Sequence, residues 1–218
     1  MGTITYNYPE DPDVAALWRI HPHGAAHLAG RLDARARREL RDLIQHLEHE
    51  GYDLKQADGT LELIIREALN PGVRFFEVEH FEVSTRMTRT RSTESAASVR
   101  ISIQGNEYAA TARGQGSINA LDVCLRQCLS ERYPAIAQVK LTDYQVRIID
   151  AREGTAGRAH VLVGWSDERR RWVTAGISDN VIHASWLAMV DAIKLELMRL
   201  AEHDATVEKI IEEYCWGV

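Results

Sequence analysis

The sequence predicts an α+β protein: a small helical N-terminal subdomain, residues 1–72, followed by a βββα unit used twice, residues 73–218. Three observations predict it. Apolar residues recur at helical spacing before Pro71-Gly72 and at period two after it. The order strand, strand, strand, helix then appears twice, over about 73–134 and 138–200. Matching positions keep their spacing: Phe81 to Tyr144, Val99 to Val161 and Ile118 to Ile182 are 63, 62 and 64 residues apart. Near-constant offsets at three elements point to an internal duplication.

Composition bounds the function classes. The chain has 218 residues, 45% hydrophobic and 27% charged, enough for one large or two small cores. A net charge of −6 and a pI near 5.9 give no global case for nucleic acid or an anionic membrane as partner. The basic clusters between Arg31 and Arg41 and at Arg169-Arg170-Arg171 read as solvated faces. No segment has the apolar length of a membrane span, and no signal peptide opens the chain. Cys124 and Cys128, four apart on the apolar side of a helix, read as core thiols, so a reducing cytoplasm fits.

Residues Met1 to Asp13 are polar and contain Pro9 and Pro12, as in an arm or linker end. Val14 to Ile20 is either a short strand or one or two helical turns. His21, His23 and His27 invite a metal hypothesis. Pro22 breaks the register and no carboxylate or thiol stands nearby at ligand spacing, so no metal site is assigned. Asp33 is placed to cap a helix running to about Glu50, with Leu40, Leu43, Ile44 and Leu47 as its stripe and Gly51 ending it. Asp58-Gly59 reads as a turn. Thr60 then caps a second helix carrying Leu61, Ile64, Ile65, Ala68 and Leu69, stopped by Asn70-Pro71-Gly72. The result is a helical hairpin with one apolar face per helix.

In the first unit, Val73 to Thr85 is a strand whose alternation slips. Phe76 and Val78 share one face, then Phe81 and Val83 take over, the signature of a bulge. Arg86 to Ser95 reads as a long polar hairpin loop. Val99, Ile101 and Ile103 alternate, Gly105-Asn106 turns, and Tyr108, Ala110 and Ala112 continue. Ile118, Leu121, Cys124, Leu125, Cys128 and Leu129 then trace a helical face. The second unit repeats the order and the slip, with Val139 and Leu141 giving way to Tyr144, Val146 and Ile148. After the loop Asp150 to Gly157 come Val161, Val163 and Trp165, the turn Asp167 to Arg171, then Trp172 and Thr174. Its helix carries Ile182, Trp186, Met189, Val190, Ile193, Leu197 and Leu200 on one face. Ala205 to Trp216 reads as a separate short amphipathic helix outside the repeat.

No catalytic constellation assembles. There is no phosphate loop, dinucleotide fingerprint or nucleophile elbow. Glu77 and Glu79 fall on the solvent parity of a strand. Asp143, at the second slip, is either a special residue or a bulge-stabilising one. What can assemble is a binding site. Two corners open the two helices, Gly114 to Leu121 and Ile177 to Trp186. Free N–H groups at a helix start suit a carboxylate. Ser178, Asp179 and Asn180 can cap the helix or accept an ammonium, and Leu141, Tyr144 and Ile148 offer an apolar wall. A free aliphatic amino acid needs those three provisions; caps and core are the alternative reading of the same residues.

Four stretches carry a resemblance. They are Gly114-Gln115-Gly116-Ser117-Ile118-Asn119-Ala120-Leu121, Leu141 to Ile148, Gly154-Thr155-Ala156 and Gly176 to Trp186. Together they resemble the C-terminal regulatory domain of 2-isopropylmalate synthase and (R)-citramalate synthase. Leu28-Ala29-Gly30-Arg31 and Leu47 to Tyr52 resemble the linker subdomain of those enzymes, closer to the citramalate branch. The resemblance implies a pair of βββα units that forms a homodimer and binds the end-product amino acid, leucine or isoleucine. By position, its effector pocket would use Ile118, Asn119, Leu141, Tyr144, Ile148, Thr155, Asp179 and Asn180. No cofactor and no metal site is assigned to this chain. The family's catalytic barrel has no counterpart in the sequence, Ala29 stands where a serine is frequent, and Ser117 where proline is common. The chain is therefore expected to be a non-catalytic part or subunit of an acyl-CoA-dependent acyltransferase, with a barrel domain or subunit as possible partner. The alternative is a standalone amino-acid-binding regulatory protein acting on a different partner.

Overall fold

The computed structural model describes residues 26–87, 89, 93–149 and 157–215 of the chain, the stretch from 205 on as backbone only. Among the described residues three helices come first: α1 (Ala26–Ala29), α2 (Ala34–His49) and α3 (Asp58–Leu69). The first unit follows as β1 (Glu77–Met87), β2 (Thr93–Ile103), β3 (Asn106–Gly114) and α4 (Ser117–Leu129). A short 3-10 turn, Pro134–Gln138, leads into the second: β4 (Lys140–Ile149), β5 (Arg158–Ser166), β6 (Arg171–Ser178) and α5 (Val181–Cys215). Each unit is a three-stranded antiparallel meander, ordered β1-β2-β3 and β4-β5-β6. The α+β class and the duplicated βββα order are thus present. None of the described helices is long and apolar enough to cross a membrane.

The strand slips are real and equivalent. The β1–β2 register shifts between Val78 and His80, and the β4–β5 register between Leu141 and Asp143. At the second bulge Asp143 accepts hydrogen bonds from the Tyr144 backbone at 2.9 Å and from Gln145 Nε2 at 2.8 Å, so it acts as the bulge-stabilising side chain. The inner faces of both sheets and the two unit helices share one core. In the first unit Val99, Ile101 and Ile103 meet Leu121, Cys124 and Leu125; in the second Val161, Val163 and Trp165 meet Met189 and Ile193. Cys124 and Cys128 are buried, and burial pushes their thiols up.

The N-terminal helices form a second core around Leu40, Ile44, Leu61 and Ile65. Asp33 caps α2, accepting from the Arg35 and Ala36 backbone at 2.9 and 2.8 Å. Gly51, at φ +99°, ends it: its N–H reaches Glu48 O and that of Tyr52 reaches Leu47 O, the double bond of a Schellman stop.

Several expectations are corrected. Asp58-Gly59 is not a turn and Thr60 is not a cap: α3 starts at Asp58, and both side chains are spent on another element. Asp58 Oδ1 accepts from the Val173 backbone at 2.7 Å, and Thr60 Oγ1 from that of Ala175 at 2.8 Å. The Ile177 backbone hydrogen-bonds the Tyr52 hydroxyl in the same row. These are outward N–H groups of β6, which among the described residues pairs with β5 alone, so the helical subdomain closes an open sheet edge. Nor does α3 have one apolar face: Leu61 and Ile65 enter the helical core, while Leu63 enters the main one. The loop expected over Arg86 to Ser95 is shorter, because β1 and β2 stay paired out to Met87 and Thr93. Cross-strand bonding carries polar residues there that alternation alone cannot place. The next turn is Gln104-Gly105, with φ of 52° and 81°, rather than Gly105-Asn106; Asn106 already pairs with Ile103. The helix expected over Ala205 to Trp216 continues α5 to Cys215, there being no glycine or proline to stop it; Trp216 lies outside the described residues.

Candidate functional site

The second unit gathers most of the expected site. β4 is exposed along almost its whole length. Leu141, Tyr144 and Ile148 share its inner face, opposite buried Trp165, Val163 and Ala159 of β5, yet remain 48%, 37% and 55% exposed. That face projects past α5, which packs on β5 and β6. Val146, of the same strand parity, and Val181, at the start of α5, are exposed as well. Sequence reasoning left both out of the site; the parity shared with Tyr144 and Ile148 was the signal for Val146.

Tyr144 ties this face to the start of α5. Its hydroxyl lies 2.6 Å from Ser185 Oγ, and Ser185 donates to Val181 O at 2.6 Å. With the serine proton so used, the phenol is the donor and keeps only an acceptor role toward a ligand. Ser185 is a further residue that sequence reasoning missed; a serine in a helix's first turns carries no pattern signal.

The two corners differ chemically. At α5, Asn180 Oδ1 accepts from Ile182 and His183 N–H at 2.8 and 3.3 Å, and Ala184 N–H reaches Asn180 O at 2.9 Å. That corner is closed by its own side chain, which corrects the expectation that its backbone would take a carboxylate. Asp179 stays exposed and accepts from Ser178 Oγ at 3.0 Å. Ser178 Oγ also accepts from Asn180 N–H, so His183 Nδ1, 3.1 Å away, is assigned as a donor to it. At α4 the N-cap is Gly116, with no side-chain cap. Ala120 N–H bonds Gly116 O, leaving the N–H groups of Ser117, Ile118 and Asn119 open at this end. Ile118 is half-buried; Asn119 is exposed and accepts from Gln115 N–H at 3.1 Å. Thr155 lies outside the described residues, as do His21 and His23.

An open cleft of about 620 Å³ runs between β1 and α5, lined by Phe81, His183, Trp186, Asp191 and Lys194 among others. Burial pushes the Asp191 carboxyl up to about 7, against the pull of Lys194 and helped by Glu67. Phe81 stacks on His183, with centroids 6.2 Å apart, and lies tilted against Trp186, with centroids 5.1 Å apart. Taken one by one, the bare β4 face offers apolar contact, the exposed Asp179 carboxylate can accept a cationic donor, and the uncapped start of α4 presents free N–H groups to an anion.

Residues 55–197 match the family model described as the LeuA allosteric (dimerisation) domain. The chain is 39% identical over 163 residues to an (R)-citramalate synthase of Aquifex aeolicus, covering 74% of this chain and 31% of that protein. It is 34% identical over 165 residues to the (R)-citramalate synthase of Geobacter sulfurreducens, covering 75% and 31%. It is 38% identical over 157 residues to that of Streptomyces coelicolor, covering 72% and 29%. The chain thus spans less than a third of the length of these relatives.

Proposed function

The chain belongs to the LeuA allosteric (dimerisation) domain family, and on that premise we propose that it is the feedback-sensing and dimerising module of a citramalate-type synthase. Its effector is a branched-chain amino acid, leucine or isoleucine. The catalytic barrel, with its acyl-CoA chemistry, acts alongside it as a domain or subunit. The observation that carries this reading is the uncovered apolar face of β4 beside the start of α5. Tyr144 and Ile148 contact the aliphatic side chain, Asp179 and the phenol oxygen of Tyr144 accept the ammonium, and the open α4 corner at Ile118 and Asn119 takes the carboxylate. A second copy of the chain covers the rest of the face, because an exposed apolar sheet surface is stabilised by burial against its like.

Titration calorimetry with leucine, isoleucine and valine tests the reading. Binding of one of them, abolished by Ile148→Trp with the fold retained, is expected; Ile148 is exposed enough to take the larger side chain without strain. No heat with any of the three would sink it. Light scattering at micromolar concentration should report a dimer.

A further inference from the structure

We propose that α5 is the element that couples the effector face to the helical subdomain, through Tyr144–Ser185 at one end and a buried ionic lock to α3 at the other. The inference rests on the effector reading above. Ser185 and Arg199 lie fourteen residues apart on one uninterrupted helix, about 21 Å at the rise of an α-helix. Between them Ala188, Met189, Ala192, Ile193 and Leu195 are buried, so this stretch is gripped by the core and shifts as a unit rather than bending.

The lock joins two helices through Arg199, Glu62, Arg66 and Glu202, with the buried carboxylate of Glu196 on α5 3.9 Å from Arg199 Nη1. Arg199 Nε and Nη2 donate to the two oxygens of Glu62 on α3, at 2.8 and 2.5 Å. Arg66, one turn on in α3, also donates to Glu62, at 2.7 Å, and pairs back to Glu202 of α5. The Arg199 guanidinium lies over the Trp172 ring, 4.8 Å from its centroid, which ties the lock to β6 as well. Arg199 and Glu62 side chains are 5% and 15% exposed. Burial pushes the Glu62 carboxyl up, but the Arg199 and Arg66 guanidiniums outweigh it and hold it below the usual range.

Why this is more than glue follows from its chemistry. Apolar side chains of similar bulk commonly stabilise such a site as well as a buried ion pair does. A two-pronged guanidinium–carboxylate pair instead satisfies both partners in one register only. A displacement of α5 caused at Tyr144–Ser185 therefore reaches α3 as a demand to move with it or to lose the pair.

Hydrogen exchange of α3 amides in the full chain, with and without leucine or isoleucine, tests the coupling, with calorimetry on the same samples. In the unaltered protein the bound amino acid should change α3 exchange severalfold. In Arg199→Lys and Glu62→Gln the amino acid should bind within twofold of its original affinity while the α3 response disappears. The double variant Glu62→Leu with Arg199→Met supplies an apolar replacement should a single change unfold the protein, and it should likewise bind without an α3 response. Binding with an undiminished α3 response in these variants would overturn the coupling, as would binding to the unaltered protein with no α3 response. Absence of binding to the unaltered protein would instead overturn the effector reading and this inference with it.

Discussion

The two βββα units share order, bulge position and core, yet they use their surfaces in opposite ways. In the first, the inner face of β1 is occupied: Phe81 packs against His183 and Trp186 of α5. In the second, the corresponding face of β4 is bare, with Tyr144 in the place of Phe81 and Ile148 more than half exposed. The outer faces are reversed. In the second unit His160, Leu162 and Ala175 are buried, with Tyr52 and Ala57 of the helical subdomain packed there; in the first, Arg100 is exposed and Ser98 and Ser102 half-exposed. The corners differ too, closed by Asn180 at α5 and open at α4. Duplication supplies two equal scaffolds, and different neighbours decide which face of each remains free for a ligand or a partner.

The largest test of that contrast lies at two glycines, one on β3 and one on β6, that each press on the first turns of their unit's helix. A Cβ on Gly176 would stand inside contact distance of the Ala184 carbonyl, and one on Gly114 would lie 2.5 Å from Ala120 N. Thr174 pins α5 by donating to Ala188 O at 2.6 Å, while it accepts from Trp165 Nε1. Across α4 the comparable tie is a longer thiol bond, Cys124 Sγ to Ala97 O at 3.3 Å. Gly176→Ala should therefore destabilise by more than about 3 kcal/mol and Gly114→Ala by about 2, read by denaturant unfolding. Equal losses would mean that the two helices are held alike.

The inner faces give the next effect. Phe81→Ala should lower stability by about 2 kcal/mol, since it removes an aromatic cluster. Tyr144→Ala should cost under about 1 kcal/mol but weaken amino-acid binding at least tenfold. A Tyr144 variant as unstable as the Phe81 one would show that β4 is structural after all.

Asn180→Ala should cost about 1 kcal/mol, the usual value of a helix cap. The reverse change, Gly116→Asn, meets extended backbone and open space, so it should gain about 0.3 kcal/mol. It should also raise the dissociation constant for the amino acid by occupying the open donors. Unchanged affinity would remove the α4 corner from the site.

A further small effect concerns the covered outer face. His160 is 3% exposed and its Nε2 has no hydrogen-bond partner. Burial first, then Arg147, hold its imidazolium below the ordinary 6.5, against Asp53. The unfolded chain thus binds the proton more readily. Stability from the neutral ring is complete above 6.5 and is lost as pH falls through the lower folded value. His160→Asn should flatten the stability profile below pH 6.5 by less than about 1 kcal/mol. A profile with the same slope would place the acid sensitivity elsewhere.

Much of this was legible from residues alone, because the signals are local. Period two and period 3.6 located the strands and helices, a one-residue slip located both bulges, and Asp33 and Gly51 marked the ends of α2. The repeat itself followed from spacing. The tertiary structure decided what each side chain was for. Asp58 and Thr60 look like local turn and cap residues until β6 is placed beside them with unpaired N–H groups. Leu141, Tyr144 and Ile148 have the alternation of a buried face, and only the position of α5 over β5 and β6 leaves them bare. Periodicity records which residues share a face; whether another element covers that face depends on contacts between residues distant in sequence, which no local pattern encodes.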